Sequence, residues 1–262
     1  MQEQKAAAFA ALHGGDPFVI PNPWDAGSAR VLAALGYEAL ATTSSGFAFT
    51  LGRLDGDVTL DEVVAHAATI DRATDLPVSV DLENGYAAEP ELVAQAIARI
   101  AAAGAVGASI EDFDRARGIY DLEEAAERVA AAAEAARSLA FPFVLTARAE
   151  NHIRGNPDLD DTLGRLHAYE AAGADVLYAP GLRTAEQIRT VCAEASKPVN
   201  VLAVRELSVR DIVEAGAQRI SVGGSLTWTA VEAMASAAVA IRDRGELSSL
   251  GKNPPLDAWF AE

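Results

Sequence analysis

Short apolar runs alternate with longer helical patterns along almost the whole chain. The runs are continuously apolar or nearly so, which is typical of parallel strands that are covered on both faces. The predicted strands are Phe18–Pro21, Ala39–Thr42, Val78–Asp81, Gly107–Glu111, Phe143–Arg148, Val176–Ala179, Val199–Val201 and Arg219–Val222. Elsewhere apolar residues recur at spacings of three and four, which predicts the helices Ala26–Leu35, Leu60–Ala73, Pro90–Ala103, Glu123–Ser138, Leu159–Ala172, Ala185–Glu194, Ser208–Ala215 and Thr227–Arg242.

Residues at the predicted helix ends support these boundaries. Thr59 with Glu62, and Asp121 with Glu124, have the spacing of a capping box at a helix start. An Ala-Gly-Ala turn recurs between a helix and the next strand, where glycine takes the left-handed conformation without a Cβ clash. The glycines of these turns are Gly104, Gly173 and Gly216.

Eight strand–helix units in 262 residues predict a closed (β/α)8 barrel of the TIM type with parallel strands. An open doubly wound sheet is the alternative, and it would usually place a Gly-rich turn after its first strand. That turn is Pro21-Asn22-Pro23-Trp24-Asp25 here, which a dinucleotide pyrophosphate could not approach closely. Because no linker or shift in composition divides the chain, we expect one barrel domain over residues 1–262, with a C-terminal helical tail from about residue 227.

Charge and composition limit the partners. Half of the residues are hydrophobic, and 38 acidic against 21 basic side chains give a net charge of −17. This field repels nucleic acid, and no Lys/Arg run offsets it, so we expect no nucleic-acid partner. A small anionic substrate is also repelled at long range and must be held by local cations and N–H groups.

Cysteine usage and the apolar runs indicate the compartment. Cys192 is the only cysteine, which excludes an internal disulfide and fits a reducing cytoplasm. The first residues lack the features of a signal peptide, and no apolar run approaches the length of a membrane span. We therefore expect a cytoplasmic protein that does not contact a membrane.

Acidic residues follow three predicted strands at the point where each strand ends. They are Asp81, Glu83, Glu111, Asp112 and Glu150, with Arg148 alongside. A carboxylate loses hydration at such a position, which is costly unless a cation or several donors compensate. Each acid alone is most simply a charged residue where a strand meets water. Together, at the barrel end where catalytic groups gather, they indicate a hard divalent metal and an anionic substrate.

The segments after the first two strands and after the fourth add further candidates. Trp24 and Asp25 follow the first strand, and Ser44-Ser45-Gly46-Phe47 follow the second. We expect the second segment to be a small-residue loop whose N–H groups can bind a carboxylate. A tight turn is the simpler interpretation of that segment alone. Arg115, Arg117 and Tyr120 are candidates for a lid over the site, or else ordinary solvated residues.

The motifs resemble the isocitrate lyase/phosphoenolpyruvate mutase superfamily, in order and in spacing, over nearly the whole chain. The similarity is greatest to short members that act on α-oxocarboxylates, such as oxaloacetate decarboxylase-like proteins. Its most specific element is an Asp-x-Asp-x-Gly-Tyr motif with Glu83 in the second acidic place. The matching segments are Pro21-Asn22-Pro23-Trp24-Asp25, Thr42-Thr43-Ser44-Ser45-Gly46-Phe47, Leu51-Gly52 with Asp55, Asp81-Leu82-Glu83-Asn84-Gly85-Tyr86, Ile110-Glu111-Asp112 and Ala147-Arg148.

The resemblance implies a metal and a set of site residues. It implies Mg²⁺, with Mn²⁺ as the alternative ion, bound through Asp81, with Glu83 and Glu111 as further metal-site residues, partly through water. The catalytic residues that it implies are Arg148, Asp55 and Glu111. The substrate-binding residues that it implies are Ser45, Gly46, Phe47, Trp24 and Arg148.

The chain departs from the superfamily after the fourth strand. Its lyases carry a catalytic Cys there in a Lys-Lys-Cys-Gly-His loop, whereas residues 111–120 contain no Cys. Its mutases and phosphonopyruvate hydrolases place Lys and Asn on that loop, and mutases add a His where this chain has Tyr178-Ala179-Pro180. The leading interpretation is a Mg²⁺-dependent lyase of a small α-oxo or α-hydroxy carboxylate, for example a decarboxylase of oxaloacetate. Phosphonopyruvate hydrolysis or mutase-type P–C chemistry, and a barrel that binds oxalate-like metabolites without catalysis, stay open.

The C-terminal segment suggests an assembly. The last predicted helix is rich in alanine, and the tail after it carries Trp259 and Phe260, whose aromatic rings need a partner surface. Members of the resembled superfamily exchange their last helix between subunits. We therefore expect a homotetramer built as a dimer of dimers.

Overall fold

The computed structural model describes residues 1–260, and its centre is an eight-stranded parallel sheet. Strands β1 to β8 are Phe18–Ile20, Leu40–Ala41, Val78–Asp81, Gly107–Glu111, Val144–Arg148, Val176–Tyr178, Val199–Leu202 and Arg219–Ser221. They pair in the order β1-β8-β7-β6-β5-β4-β3-β2. The Ala41 N–H donates to the Pro21 carbonyl at 3.1 Å, which joins β2 to β1 at the ends of this order. The predicted (β/α)8 barrel is confirmed.

Helices lie between the strands and cover the outside of the barrel. Helices α1 to α11 are Gln2–Leu12, Ala26–Ala34, Ser44–Thr50, Leu60–Ala73, Pro90–Ala102, Leu122–Arg137, Leu159–Ala171, Ala185–Glu194, Val209–Glu214, Ser225–Arg244 and Leu256–Trp259. Each predicted helix is present with its ends displaced by at most two residues. None of the helices within residues 1–260 combines the length and the apolarity that a bilayer crossing requires.

The prediction of a loop at residues 44–47 is wrong. These residues begin α3, and the Thr43 side chain caps the helix by accepting a hydrogen bond from the Gly46 N–H. A Cβ on Gly46 would lie 2.6 Å from Thr43 Cγ2 and 2.7 Å from Thr227 Oγ1, so α3 packs too closely here for any larger residue. The small residue at position 46 therefore serves the close packing of α3, and the segment forms the first turn of a helix where a loop was predicted.

One predicted capping box is present and the other is not. Thr59 and Glu62 exchange both hydrogen bonds at the start of α4. The Asp121 side chain makes no capping bond at the start of α6. The carboxylate of Glu124 is instead bound by both terminal nitrogens of Arg117, at 2.7 and 2.8 Å, and is not available to the Asp121 backbone.

The amino-terminal end of the barrel is closed by α1. Phe9 is fully buried there against Phe18, Val106 and Val144. Just inside the barrel lies Arg219, which is 5% exposed and donates to Asn200 Oδ1 at 2.8 Å. Because this end is packed and plugged, a substrate has access only from the carboxyl ends of the strands.

Candidate active site

A cavity of about 390 Å³ opens at the carboxyl ends of β3, β4 and β5. Its lining includes Ser44, Asp55, Glu83, Glu111, Arg148 and Arg154. Two larger cavities, of about 520 and 740 Å³, each have one carboxylate in their lining. Charge and position therefore make the smaller, acid-lined cavity the candidate active site.

Asp81 lies at the end of β3 and is held in place from two sides. Its Oδ2 accepts a hydrogen bond from the Ser44 N–H at 3.1 Å. Its own backbone N–H donates to Thr42 Oγ1 at 2.9 Å. Its Oδ1 is 3.9 Å from Arg148 Nη1, and its side chain keeps 16% exposure. One carboxylate oxygen of Asp81 is thus close to a cation while the group stays accessible.

Glu83 is crowded by other acids and held in an unusual backbone conformation. Its φ is 44° and that of Tyr86 is 58°, both in the left-handed region that non-glycine residues rarely adopt. The Tyr86 hydroxyl donates to Glu83 Oε1 at 2.5 Å. Burial raises the pKa of Glu83 to about 7, and the charges of Asp81 and Asp55 add to this effect against the opposing Tyr86 hydrogen bond. The loop therefore holds a carboxylate where its negative charge is poorly compensated.

Glu111 and Arg148 face each other at the ends of β4 and β5. Arg148 Nη1 is 3.4 Å from Glu111 Oε2. Burial raises the pKa of Glu111 well above its usual range; Arg148 opposes this shift and Glu150 adds to it. Burial alone would lower the pKa of Arg148, but Glu111 and Glu150 outweigh it and raise that pKa. The guanidinium of Arg148 is thus fixed in its charged form beside the cavity.

One residue of the cavity, Arg154, was not predicted from the sequence. Glu150 was predicted as a member of the acid cluster, and it is fully buried behind the cavity. Arg154 lines the cavity, and its Nη2 lies 2.9 Å from Glu150 Oε2. The same Nη2 is 3.8 Å from Glu111 Oε1. The Glu-x-x-x-Arg spacing in the sequence could have indicated this ion pair, since side chains four residues apart on a helical turn can meet.

Two predicted acids do not join the cluster. Asp25 accepts from the Ser28 N–H at 2.7 Å and caps α2. Asp112 is 3% exposed, and its Oδ2 accepts from Arg165 Nη1 at 2.9 Å. Since successive side chains of a strand point to opposite faces, Glu111 faces the cavity and Asp112 faces the surrounding helices.

The lid candidates have other contacts. Arg115 lines the cavity and pairs with Asp57 at 2.7 Å. Arg117 binds Glu124, and Tyr120 is 2% exposed, so its ring is part of the core and not a lid.

The predicted anion-binding N–H groups are partly occupied. The Phe47 N–H donates to the Thr43 carbonyl at 3.0 Å as an ordinary helical bond. The Gly46 N–H donates to Thr43 Oγ1 at 3.4 Å. Ser45 Oγ lies 3.2 Å from Thr43 Oγ1. The expectation that the Gly46 and Phe47 N–H groups are free is wrong because α3 begins here, and Ser45 stays a candidate ligand for a carboxylate.

The donor set suits a hard divalent cation that keeps its water. No group of three His, Cys, Asp or Glu within residues 1–260 forms a ready-made ligand set. Magnesium needs only one or two carboxylates beside water, so this finding agrees with a site centred on Asp81. The pKa values of Asp55, Glu83 and Glu111 are all raised, by burial first, as is expected where carboxylates lack a cation.

Comparison with protein families identifies the chain. The sequence model described as phosphoenolpyruvate phosphomutase matches residues 9–242. The chain belongs to the phosphoenolpyruvate mutase family. The match includes every residue of the cavity lining named above.

Relatives of this family member have solved structures and named activities. A candidate lyase/mutase from Burkholderia cenocepacia J2315 is 47% identical over all of this chain and 97% of its own, with a TM-score of 0.96. The oxaloacetate decarboxylase of Rhodopseudomonas palustris strain BisB5 is 30% identical over 242 residues, 83% of this chain and 82% of its own. The 2,3-dimethylmalate lyase of the PEP mutase/isocitrate lyase superfamily is 26% identical over 98% of this chain and 94% of its own, with a TM-score of 0.86. This phosphoenolpyruvate mutase family member is an enzyme of the lyase type.

The acid cluster predicts a pH-dependent stability for this family member without metal. The usual pKa of Glu83 is 4.5 and burial raises it to about 7, so the folded protein binds this proton more tightly than the unfolded chain does. Stability therefore falls as pH rises from 4.5 to about 7, by at most about 3 kcal/mol for this group. We expect the metal-free protein to melt higher at pH 5 than at pH 7.5.

The variant Glu83→Gln tests this explanation, because glutamine has the same shape as glutamate and cannot ionise. It should show a smaller loss of melting temperature between these pH values, with a remainder from Asp55 and Glu111, whose pKa values are also raised. The same slope in both proteins would show that Glu83 does not carry the uncompensated charge.

Proposed function

We propose that the protein is a Mg²⁺-dependent lyase of a small α-oxo or α-hydroxy carboxylate, with oxaloacetate decarboxylation as its leading reaction. The observation that supports this most is the group of carboxylates beside Arg148 at the open end of the barrel: Asp55, Glu83 and Glu111 line the cavity, and Asp81 lines a smaller adjoining space of about 50 Å³ that shares Arg148 with it. The relative named oxaloacetate decarboxylase supports the choice of substrate.

Several acids would contribute to binding the metal ion, directly or through water. Asp81 is the residue we assign to direct contact or contact through one water, because it is fixed by Ser44 and still accessible. Glu83, Glu111 and Asp55 would act around it through water, and Mn²⁺ would fit the same oxygen donors. Such an ion, when bound, supplies Lewis-acid polarisation of a substrate carbonyl.

Arg148 would bind the substrate. Its planar guanidinium matches two carboxylate or enolate oxygens, and its charge is secured by Glu111 and Glu150. The Ser45 hydroxyl would contact the same carboxylate. Trp24 would support this part of the site from the side, since its Cβ packs beside Gly46.

In decarboxylation the electron pair of the breaking C–C bond moves into the enolate as CO₂ leaves. No protein acid is needed at that step, which suits a chain without Cys in residues 111–120.

The alternative of P–C chemistry has less support from the residues. The segment after β4 forms a short hairpin from residues 113–114 and 118–119, and it carries arginines paired to acids and no lysine. Tyr178 lies under Arg148, with the guanidinium 5.4 Å from the ring centre, at the place where mutases carry a histidine. The match to the phosphoenolpyruvate phosphomutase family keeps this alternative worth testing.

One assay separates the three candidate functions. The metal-free protein is incubated with Mg²⁺ and a panel of 2-oxo and 2-hydroxy dicarboxylates, and pyruvate release from oxaloacetate is followed against Mg²⁺ alone. A rate above the ion alone supports the lyase. Turnover of phosphonopyruvate by phosphorus NMR would favour P–C chemistry. Tight Mg²⁺-dependent oxalate binding without any turnover would identify a binding protein.

We also propose a cytoplasmic homotetramer of single-domain subunits whose C-terminal tail, from about residue 227, docks on or exchanges with a second copy. Along α10 only Thr227 and Ala240 are buried, whereas Trp228, Met234 and Val239 are exposed. A long helix with so little contact to its own barrel leaves apolar area that a partner would cover. Light scattering at micromolar concentration should give the mass of four chains, and a monomeric mass would refute this proposal.

A further inference from the structure

Glu150 lies behind the candidate active site and binds two arginines at once. It is fully buried, whereas Arg148 and Arg154 both line the cavity. Its Oε1 accepts from the Arg148 Nε–H, and its Oε2 accepts from the Arg154 Nε–H at 2.9 Å. Both carboxylate oxygens are thus used by guanidinium groups, and Glu150 itself does not reach the substrate space.

The contact to Arg148 determines which edge of the guanidinium faces the cavity. The Nε side is held by Glu150, while Nη1 lies 3.4 Å from Glu111 and 3.9 Å from Asp81. Without Glu150, three acids would no longer surround Arg148, and its attraction to Glu111 and Asp81 would draw it toward the proposed metal position. At present only Nη1 approaches these acids, whereas a guanidinium that bound them through both terminal nitrogens could not present its fork to a substrate carboxylate.

Glu150 is in turn anchored from outside the barrel. Its backbone N–H donates to Asp112 Oδ1 at 2.8 Å. Asp112 Oδ2 is bound by Arg165 Nη1 at 2.9 Å, and by the Tyr169 hydroxyl. Arg165 and Tyr169 belong to α7, so a chain of buried polar contacts runs from the outer helical layer to the guanidinium at the cavity. Groups that are this well satisfied and buried hold their geometry.

We infer that Glu150 is a positioning residue, which acts through Arg148: it limits the contact of that guanidinium with the metal-site acids to Nη1 and keeps the rest of it available for the substrate, with Arg154 as the second guanidinium that binds Glu150. This inference rests on the proposed function for its ligand, an oxalate-like carboxylate. It predicts a role that depends entirely on Arg148.

A double-mutant cycle tests that dependence. Magnesium-dependent oxalate binding is measured by calorimetry for the wild type, Glu150→Gln, Arg148→Ala and the double variant. We expect each single variant to weaken oxalate binding by roughly 10- to 100-fold, as is typical of residues that orient a ligand-binding group. The double variant should bind no more weakly than Arg148→Ala alone, since Glu150 then has nothing to position. Unchanged binding in Glu150→Gln, or fully additive losses, would overturn the inference.

Two controls keep the result interpretable. Glu124→Gln removes an acid that pairs with Arg117 on the exposed surface, and it should leave oxalate affinity unchanged. Glu150→Asp keeps the charge but shortens the side chain, and it replaces Glu150→Gln if that variant does not fold. The aspartate should weaken oxalate binding with unchanged Mg²⁺ affinity, and the same affinity as wild type would count against the inference.

A crystal structure of Glu150→Gln separates this inference from the proposed function. If the wild type binds no oxalate, the proposed ligand class is wrong. The position of Arg148 in the Glu150→Gln crystal structure still tests whether Glu150 positions that side chain. We expect the guanidinium to have turned toward Glu111 and Asp81. An Arg148 side chain in its original place would show that Glu150 does not position it.

Discussion

Replacement of Asp81 by alanine should abolish the metal-dependent behaviour of the protein and leave the fold intact. Asp81 is an accessible acid that Ser44 holds in place, and Asp55, Glu83 and Glu111 lie around it. Loss of metal contact should lower turnover by a factor on the order of 1,000, since metal polarisation contributes several kcal/mol. The variant should also lose the rise in melting temperature that Mg²⁺ with oxalate gives by mass action.

Without metal, the Asp81→Ala protein should melt close to the wild type. The Ser44 N–H loses its acceptor, which costs about 1 kcal/mol, while the repulsion on Asp55 and Glu83 is relieved by a similar amount. Asp61→Ala is the matched control, because it removes the same charge from an exposed helix position. If Asp81→Ala keeps the ligand-induced shift, the metal site is elsewhere; if the variant unfolds, the acid is structural.

Replacement of Arg148 by alanine should have effects opposite to those of Asp81→Ala on metal binding and on stability. Metal binding is retained, whereas substrate binding weakens by roughly 1.5–3 kcal/mol, the range for a charge-assisted contact. The free energy of unfolding should fall by about 3 kcal/mol, because Glu111 and Glu150 lose a cation inside the protein. Titration calorimetry with Mg²⁺ and then oxalate, and urea unfolding, measure the three quantities.

The variant Arg148→Lys separates the effect of the positive charge from the effect of the planar pair of donors on the guanidinium. Lysine keeps a cation for Glu111 and Glu150 but offers no planar pair of donors. It should recover most of the stability and little of the substrate affinity. Arg99→Ala, which removes a surface cation, should change neither. Full recovery of substrate affinity in the lysine variant would contradict bidentate recognition.

The barrel and the location of its site could be predicted because both follow from local rules. Continuous apolar runs predict buried parallel strands, and parallel strands bring their carboxyl ends to one edge. Asp81, Glu111 and Arg148 end neighbouring strands β3, β4 and β5, so the topology alone places them together. The direction of Asp112, away from the cavity, follows from the alternation of side chains along a strand and could have been predicted as well.

Other features depend on contacts that the sequence does not encode locally. Helix α3 has no repeating apolar pattern, and its start is determined by the Thr43 cap and by close packing at Gly46 against Thr227. The interior position of Arg219 depends on Asn200 and Thr146, which lie on other strands. The position of Glu150 depends on Asp112, which follows a neighbouring strand and accepts a hydrogen bond from the Glu150 backbone N–H. Each of these features needs at least one residue that lies far away in the sequence.

A co-crystal with Mn²⁺ and oxalate tests the central claim most directly, because manganese scatters anomalously and fits the same oxygen donors as magnesium. We predict a single strong anomalous peak in the cavity beside the Asp81 carboxylate, with oxalate between the ion and Arg148. The peak should be absent from crystals of Asp81→Ala grown in the same solution. An anomalous peak outside this cavity, or none near Asp81 at saturating Mn²⁺ and oxalate, would contradict the account.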